Sequence, residues 1–309
     1  MRAIDIHSHI GNILYKSGGE LIFRTGIKFP RSTGVQRLDE KNLFRTSRRA
    51  RILDTYLPGW SLANERKRNT AATLENMRAS FDTGTGVRIE KCVCLPVAPY
   101  TDYRDMCAAA RAEPRITAFT SPDFSDAGNM PGKLEADLKN GAAGVKIHPI
   151  IQETTADSQE VMQAAETAAA YGAPVLLHSG RASYYPAREQ KDRFTENASI
   201  IKIERLIAAR PDTRFIVGHA GLGEITAVLE LLPKYKNVWV DTSFQPPEAI
   251  RTLAGAFGGG RVMFASDWPY GLRRPAVLAV CEACKGDAGL LEAVLYGNAA
   301  ELLELGATA

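Results

Sequence analysis

No run of this chain stays apolar for the roughly 18 residues that a membrane-spanning helix needs, so no membrane partner is expected. A secretory leader is not expected either, because the apolar residues after Arg2 are interrupted at once by Asp5 and His7. Cysteines number only five and are scattered. An odd, unpatterned set points to reduced thiols in a cytoplasmic protein rather than to a disulfide framework. Cys281 and Cys284 form one CxxC with no second pair, on a stretch of helical character, which favours buried core thiols over metal or redox chemistry. There is no internal repeat, and no interleaving of basic and aromatic residues that would suggest nucleic acid. Histidine is also scarce, at five in 309 residues.

The net charge is only +3, but it is unevenly spread. Residues 11–86 hold 14 Lys and Arg against 7 Asp and Glu, a surplus of +7. Such a segment can draw in an anionic small molecule, face another subunit, or be a solvated surface. A homo-oligomer and an anionic substrate are both expected.

Eight short apolar runs are spaced along the chain, at 3–7, 89–95, 116–120, 144–148, 174–178, 214–219, 237–242 and 262–267. Helical patterns lie between most of them, at 133–139, 159–171, 199–209, 224–232 and 248–256, and three more follow the last, at 278–285, 290–296 and 299–305. Strand and helix in alternation predict a parallel sheet covered by helices. Eight such units predict an α/β fold of the TIM (β/α)8 type, a single barrel domain over 1–309. Residues 11–86 break the spacing. They form a long insertion after strand one, with helices expected at 42–51 and 71–81, leaving from the end of the barrel where long loops carry function.

The chemistry gathers at the strand ends. Strand residues i and i+2 share a face, so Asp5, His7 and His9 are expected to point together, with Ile4 and Ile6 turned toward the outer helices. Polar groups inside a barrel need a partner, and a metal ion would be one. His178 ends VLLHSG, His219 ends FIVGHAG, His148 sits in GVKIHP, and Asp267 ends VMFASDWP. All five histidines and one carboxylate thus lie at strand ends. Neutral imidazoles with a carboxylate suit Zn2+ or a similar divalent ion.

HxH on the first strand, His on the fifth and sixth, and Asp on the eighth resemble the amidohydrolase superfamily. GVKIHP, SDWP and GNAAELL are similar to its amidohydrolase-2 branch, which includes aminocarboxymuconate semialdehyde decarboxylase relatives and lactonases. The likeness covers the chain apart from 11–86. It implies one ion per chain, held by His7, His9, His178 and Asp267. It implies that Asp267 also takes the proton of the metal-activated water, and that His219 hydrogen-bonds water or substrate. Lys146 and His148 share a strand face, from which His148 can hydrogen-bond the substrate. Lys146 is open to three roles: a carboxylated bridge between two metals, a charge toward substrate, or a partner of a carboxylate in the barrel. Arg181 can meet a substrate carboxylate or lie on the surface. Trp268 and Tyr270 can line the pocket or pack in the core. Asp241 can orient a histidine or cap a turn, and Asp5 can support the site.

The first expectation is a metal-dependent hydrolase of a small carbonyl substrate such as a lactone, ester or amide. The second is a non-oxidative decarboxylase of an aromatic or muconate-type acid that uses the same ligands. A third is a non-catalytic metal-binding barrel, against which a proton acceptor beside the metal argues.

Overall fold

The structure, a computed structural model, describes residues 1–30, 66–182, 184, 185 and 191–305. Eight strands run in order: β1 Arg2–Ser8, β2 Arg88–Cys94, β3 Ile116–Ala118, β4 Val145–Ile147, β5 Val175–Leu177, β6 Phe215–Val217, β7 Val238–Asp241 and β8 Val262–Met263. Each overlaps one expected run. Every pairing between neighbours is parallel. The ladders form two sheets, β1-β2-β3 and β4-β5-β6-β7-β8. The sheets meet at two seams, each with one isolated bridge, Thr120 with Val145 and Ser8 with Trp268. The arrangement is that of a (β/α)8 barrel whose ring is not closed by continuous ladders.

Helix positions follow from caps and apolar spacing. Helix Gln159–Ala170 starts where the Ser158 side chain accepts from the Val161 amide, and it buries Val161, Ala164, Ala165 and Ala168, one face of a 3.6-residue period. Helix Tyr103–Ala112, between β2 and β3, has no counterpart among the expected helices. Its signal was a capping box, in which Asp102 and Asp105 each satisfy the other's backbone amide. In the insertion, the expected helix at 71–81 shortens to Leu74–Ser80, capped by Thr73. The helix expected at 42–51, with Arg45, Arg48, Arg49 and Arg51, lies outside the described residues. Among the described residues no helix is long and apolar enough to cross a membrane. All five cysteines are free, and burial pushes the Cys284 thiol up to about 11, which suits a core residue and not a reactive one.

Two apolar layers sort the strand residues. Val145, Ile147, Val175, Leu177, Phe215 and Val217 pack outward with helix residues. Ile4, Ile6, Val93, Leu95, Phe119, Leu176, Ile216 and Met263 form a second cluster with Ala299 and Leu302 of the C-terminal helix, and this is the barrel interior. Lys146 pairs in register with Leu176, and Leu176 with Ile216, so Lys146 stands on the inner face and His148 and His178 follow one step higher.

β1 departs from the expected alternation. Ile4 and Ile6 point inward, not toward the helices. Asp5 points outward, where its Oδ2 meets Arg273 Nε at 2.9 Å. The register against β2 slips between Asp5 and Ser8. An extra residue there reverses which face follows, so His7 and His9 turn inward above Ile6 while Ser8 joins Asp5 outside. The irregularity lets one strand supply both the apolar floor and the polar layer above it.

Candidate metal centre and catalytic face

His7 Nδ1 lies 2.7 Å from Asp241 Oδ2, and His9 Nδ1 lies 2.7 Å from the carbonyl oxygen of Leu95. Both partners can only accept, so each Nδ1 carries the proton and each Nε2 keeps its lone pair. The two Nε2 atoms face one atom, Asp267 Oδ1, at 3.4 Å each. That oxygen is buried and has no hydrogen-bond partner among the described residues. A buried carboxylate oxygen beside two lone pairs is costly, and a cation held among the three relieves all of them at once. The donor atoms lie within 4.8 Å of one another. The residues therefore fit a divalent ion.

The protonation states agree with this. Burial, reinforced by the nearby Lys146 charge, pulls His9 down to about 3 and His7 well below its ordinary value. Both rings are neutral at pH 7, as ligands must be. Lys146 Nζ stands 3.1 Å from His7 Nε2. Its own burial lowers it to about 8, against the pull of Asp267 and Asp241.

A second relay fixes the remaining rings. Ser243 Oγ donates to Asp241 Oδ1 at 2.5 Å, so it accepts from His219 Nδ1 at 2.7 Å. His219 Nε2 is then the acceptor for His178 Nδ1, 3.0 Å away. His178 Nε2 is left as a lone pair. Asp241 anchors the whole set, also accepting from the backbone amides of His219 and Ser243. His148 stacks on His178 with centroids 4.0 Å apart, and its Nε2 is 3.1 Å from the Tyr184 hydroxyl, which also contacts His178. Gly218 is placed where a Cβ would come within 3.2 Å of His7 Cε1 and 2.7 Å of the Leu177 carbonyl oxygen, so the ring lies there because no side chain does.

The structure brings His7, His9, Asp267, Lys146, His148, His178 and His219 to one end of the barrel. His178 does not join the close group of His7, His9 and Asp267; it stands beside His219 instead. Tyr270 is in the wall, 6.0 Å from His9 ring to ring. Two expected contacts are elsewhere. Arg181 is exposed and paired with Glu196 and Glu224. Trp268 is buried against Phe29 and the Arg273 guanidinium. Sequence reasoning also passed over Ser243, Tyr184, Phe244 and Arg273. SF follows DT in VDTSF, so Ser243 was legible as an i+2 partner of Asp241; the others are set by tertiary contact alone.

All five histidines are held below their ordinary values, with burial the largest cause in each. In the unfolded chain they titrate near 6.5. Below that pH the unfolded state binds protons that the folded state refuses, so stability falls as pH falls. The metal-free protein is expected to lose about 1.4 kcal/mol per pH unit for each imidazole that stays neutral, beginning near pH 6.5. Urea unfolding at pH 7.5, 6.5 and 5.5 measures this, and a flat profile would mean that the rings protonate in place.

A parallel barrel that gathers imidazoles and a carboxylate at its C-terminal strand ends defines a metal-dependent barrel enzyme. The family model described as amidohydrolase matches residues 4–305, and the chain belongs to that family, in its amidohydrolase-2 branch. No curated protein matches the chain. Among solved structures it is similar to 5-carboxyvanillate decarboxylase from Sphingomonas paucimobilis, with 17% identity over 98% of this chain and 99% of that one and a TM-score of 0.64. It is similar to the 5-carboxyvanillate decarboxylase of Novosphingobium aromaticivorans, which holds manganese and 3-methoxy-4-hydroxy-5-nitrobenzoic acid, with 16% identity over 98% and 96% and a TM-score of 0.63. It is also similar to a probable 2-pyrone-4,6-dicarboxylic acid hydrolase from Acinetobacter baumannii, with 13% identity over 98% and 100% and a TM-score of 0.56.

Proposed function

We propose that the chain is a metal-dependent, non-oxidative decarboxylase of an aromatic or muconate-type carboxylic acid. This reverses the order expected from sequence, where hydrolysis of a lactone, ester or amide stood first. The observation that carries the metal dependence is the partnerless Asp267 Oδ1 between His7 and His9. One comparison supports carbon–carbon cleavage over hydrolysis: similar structures are mostly decarboxylases. None of His7, His9, Lys146, His178, His219 and Asp267 is more than 6% exposed, so charge on a bound substrate would be stabilised by fixed groups and not by bulk water.

His7, His9 and Asp267 would hold the ion, and His178 would join them through its Nε2, which now faces the Tyr184 hydroxyl at 3.4 Å. When bound, the ion supplies positive charge that anchors an anionic substrate and stabilises charge left on it. Imidazole and carboxylate donors suit Zn2+, the expected metal, and the manganese of two similar decarboxylases makes Mn2+ the alternative. As the bond to the carboxylate carbon breaks, CO2 leaves without the electron pair, and the ring carbon takes a proton from Asp267. With Oδ1 toward His7 and His9, the second carboxylate oxygen would carry that proton. Lys146 adds positive charge on the same inner face.

The insertion supplies cations as well, though not those singled out in the sequence. Arg68 Nη1 donates to the carbonyl oxygen of Tyr270 at 2.5 Å, and Arg66 Nε to that of Tyr184 at 3.0 Å. Arg66 Nη2 is buried with no hydrogen-bond partner among the described residues. This supports an anionic substrate.

Metal-loaded protein assayed on hydroxybenzoic acids and on lactones in deuterated water decides the reading. CO2 release with one deuterium at the vacated carbon is expected; lactone hydrolysis without CO2 would overturn it. Elemental analysis is expected to find about one divalent ion per chain, and His178→Ala to weaken metal affinity by about tenfold or more. Unchanged metal affinity removes His178 from the ligands, and two ions per chain would restore the bridging role of Lys146.

A further inference from the structure

Three successive strand ends each hold a non-glycine residue in the left-handed region: His219 after β6 at φ 57°, Phe244 after β7 at φ 61° and Asp267 after β8 at φ 56°. His and Asp visit this region several times more often than most side chains, but for a bulky aromatic it is an outlier. Its neighbours hold it there. Ser243 is tied to Asp241 and His219, and the Gln245 side chain donates to the His219 carbonyl oxygen at 2.6 Å. Both flanking residues are buried, whereas Phe244 is 37% exposed. Strained backbone thus turns an apolar ring out of the core, onto the end of the barrel that carries the ligands. The ring sits 5.5 Å from that of His219, tilted by 43°. Its edge is backed by Gly271, where a Cβ would stand 3.3 Å from Phe244 Cε1 and 2.0 Å from the Ser266 carbonyl oxygen.

We propose that Phe244 determines substrate specificity, as the apolar wall on which a planar aromatic acid stacks beside His219. The inference rests on the proposed function for the class of reaction and narrows its substrate to aromatic rings over open-chain acids. A core role would bury the ring, and a turn-making role would place Gly or Asn at this φ. An exposed aromatic held at a cost beside His219 of the polar layer fits neither. An offset stack, with the apolar area it covers, is a contact that a saturated ring of equal size makes less well.

The test compares salicylate with cis-2-hydroxycyclohexanecarboxylate, which has the same charged groups on a saturated ring. Calorimetry on metal-loaded protein is expected to show salicylate bound about tenfold more tightly by the wild type. Phe244→Asn, a residue at ease in the left-handed region, is expected to erase that ratio with no fall in Tm, and Phe244→Tyr to keep it. No preference in the wild type, or an unchanged ratio in Phe244→Asn, overturns the proposal. So does a lowered Tm with both ligands weakened equally, which would make Phe244 a packing residue. Failure of the decarboxylase reading appears separately, as absence of CO2 release, and leaves the ratio readable.

Discussion

Asp267→Asn is expected to lower turnover by about 10³-fold or more in protein that still folds and still binds metal. The amide keeps an oxygen toward His7 and His9, so it can remain near the ion, but it cannot carry a proton to carbon. The same change is expected to raise the Tm of the metal-free protein. The carboxyl is buried, its Oδ1 has no hydrogen-bond partner among the described residues, and it is held well above its ordinary range. A group shifted in that direction favours the fold at low pH and works against it once pH rises past its unfolded value, so at pH 7 its removal relieves a cost. Activity and stability therefore move in opposite directions, as at a site built for function and not for the fold. Single-turnover rates on metal-loaded variant and thermal melts with and without chelator measure the two. A kcat within about tenfold of wild type would assign the proton to another group, and a lower apo Tm would mean that Asp267 has a structural partner.

The fold was legible because its signals are local and repeated. Eight apolar runs bounded by turns and helical patterns need no tertiary contact to be seen, and all eight strands formed where expected. The layer of histidines with Asp267 was legible for a related reason: scarce residue types recurred at the ends of those runs. What the alternation rule missed on β1 was irregular register, since the pairing with β2 shifts between Ala3 and Ile4 and again between Asp5 and Ser8. Period-2 reasoning carries a face assignment along a strand only while the register holds, and one slip between Asp5 and Ser8 exchanges the faces of Asp5, Ile4 and Ile6 while leaving His7 and His9 inside. For Arg181 and Trp268 the sequence signal is nearness to His178 and Asp267. Nearness in a loop says little about direction, and one turned to solvent while the other turned to the core. Phe244 and Arg273 had no local signal, because a left-handed φ and a buried ion pair are consequences of packing.

Arg273→Met is expected to lower the unfolding free energy by about 3–5 kcal/mol and to weaken metal binding with it. Arg273 and Asp5 are both fully buried, with Nε and Oδ2 2.9 Å apart. The pair joins two segments at a seam that has no continuous ladder. On β1, Arg273 Nη2 donates to Ser8 Oγ, between His7 and His9. After β8, Ser266, which precedes Asp267, donates to Asp5 through both its backbone amide and its Oγ, at 2.9 and 2.6 Å. The clasp thus sets the spacing between the two histidines and the aspartate that face each other across the seam. Removing Arg273 leaves a buried carboxylate with neutral donors alone, and removing the Asp5 charge leaves a buried guanidinium, so each single change costs more than the pair's net worth. Asp5→Asn combined with Arg273→Met is accordingly expected to lose less than the sum of the two single variants. Urea unfolding of the four proteins gives the coupling energy, and metal titration of the same four shows whether ligand spacing follows it. Additive losses below about 1 kcal/mol each would remove the clasp, and full metal affinity in an otherwise destabilised Arg273→Met protein would confine it to the fold.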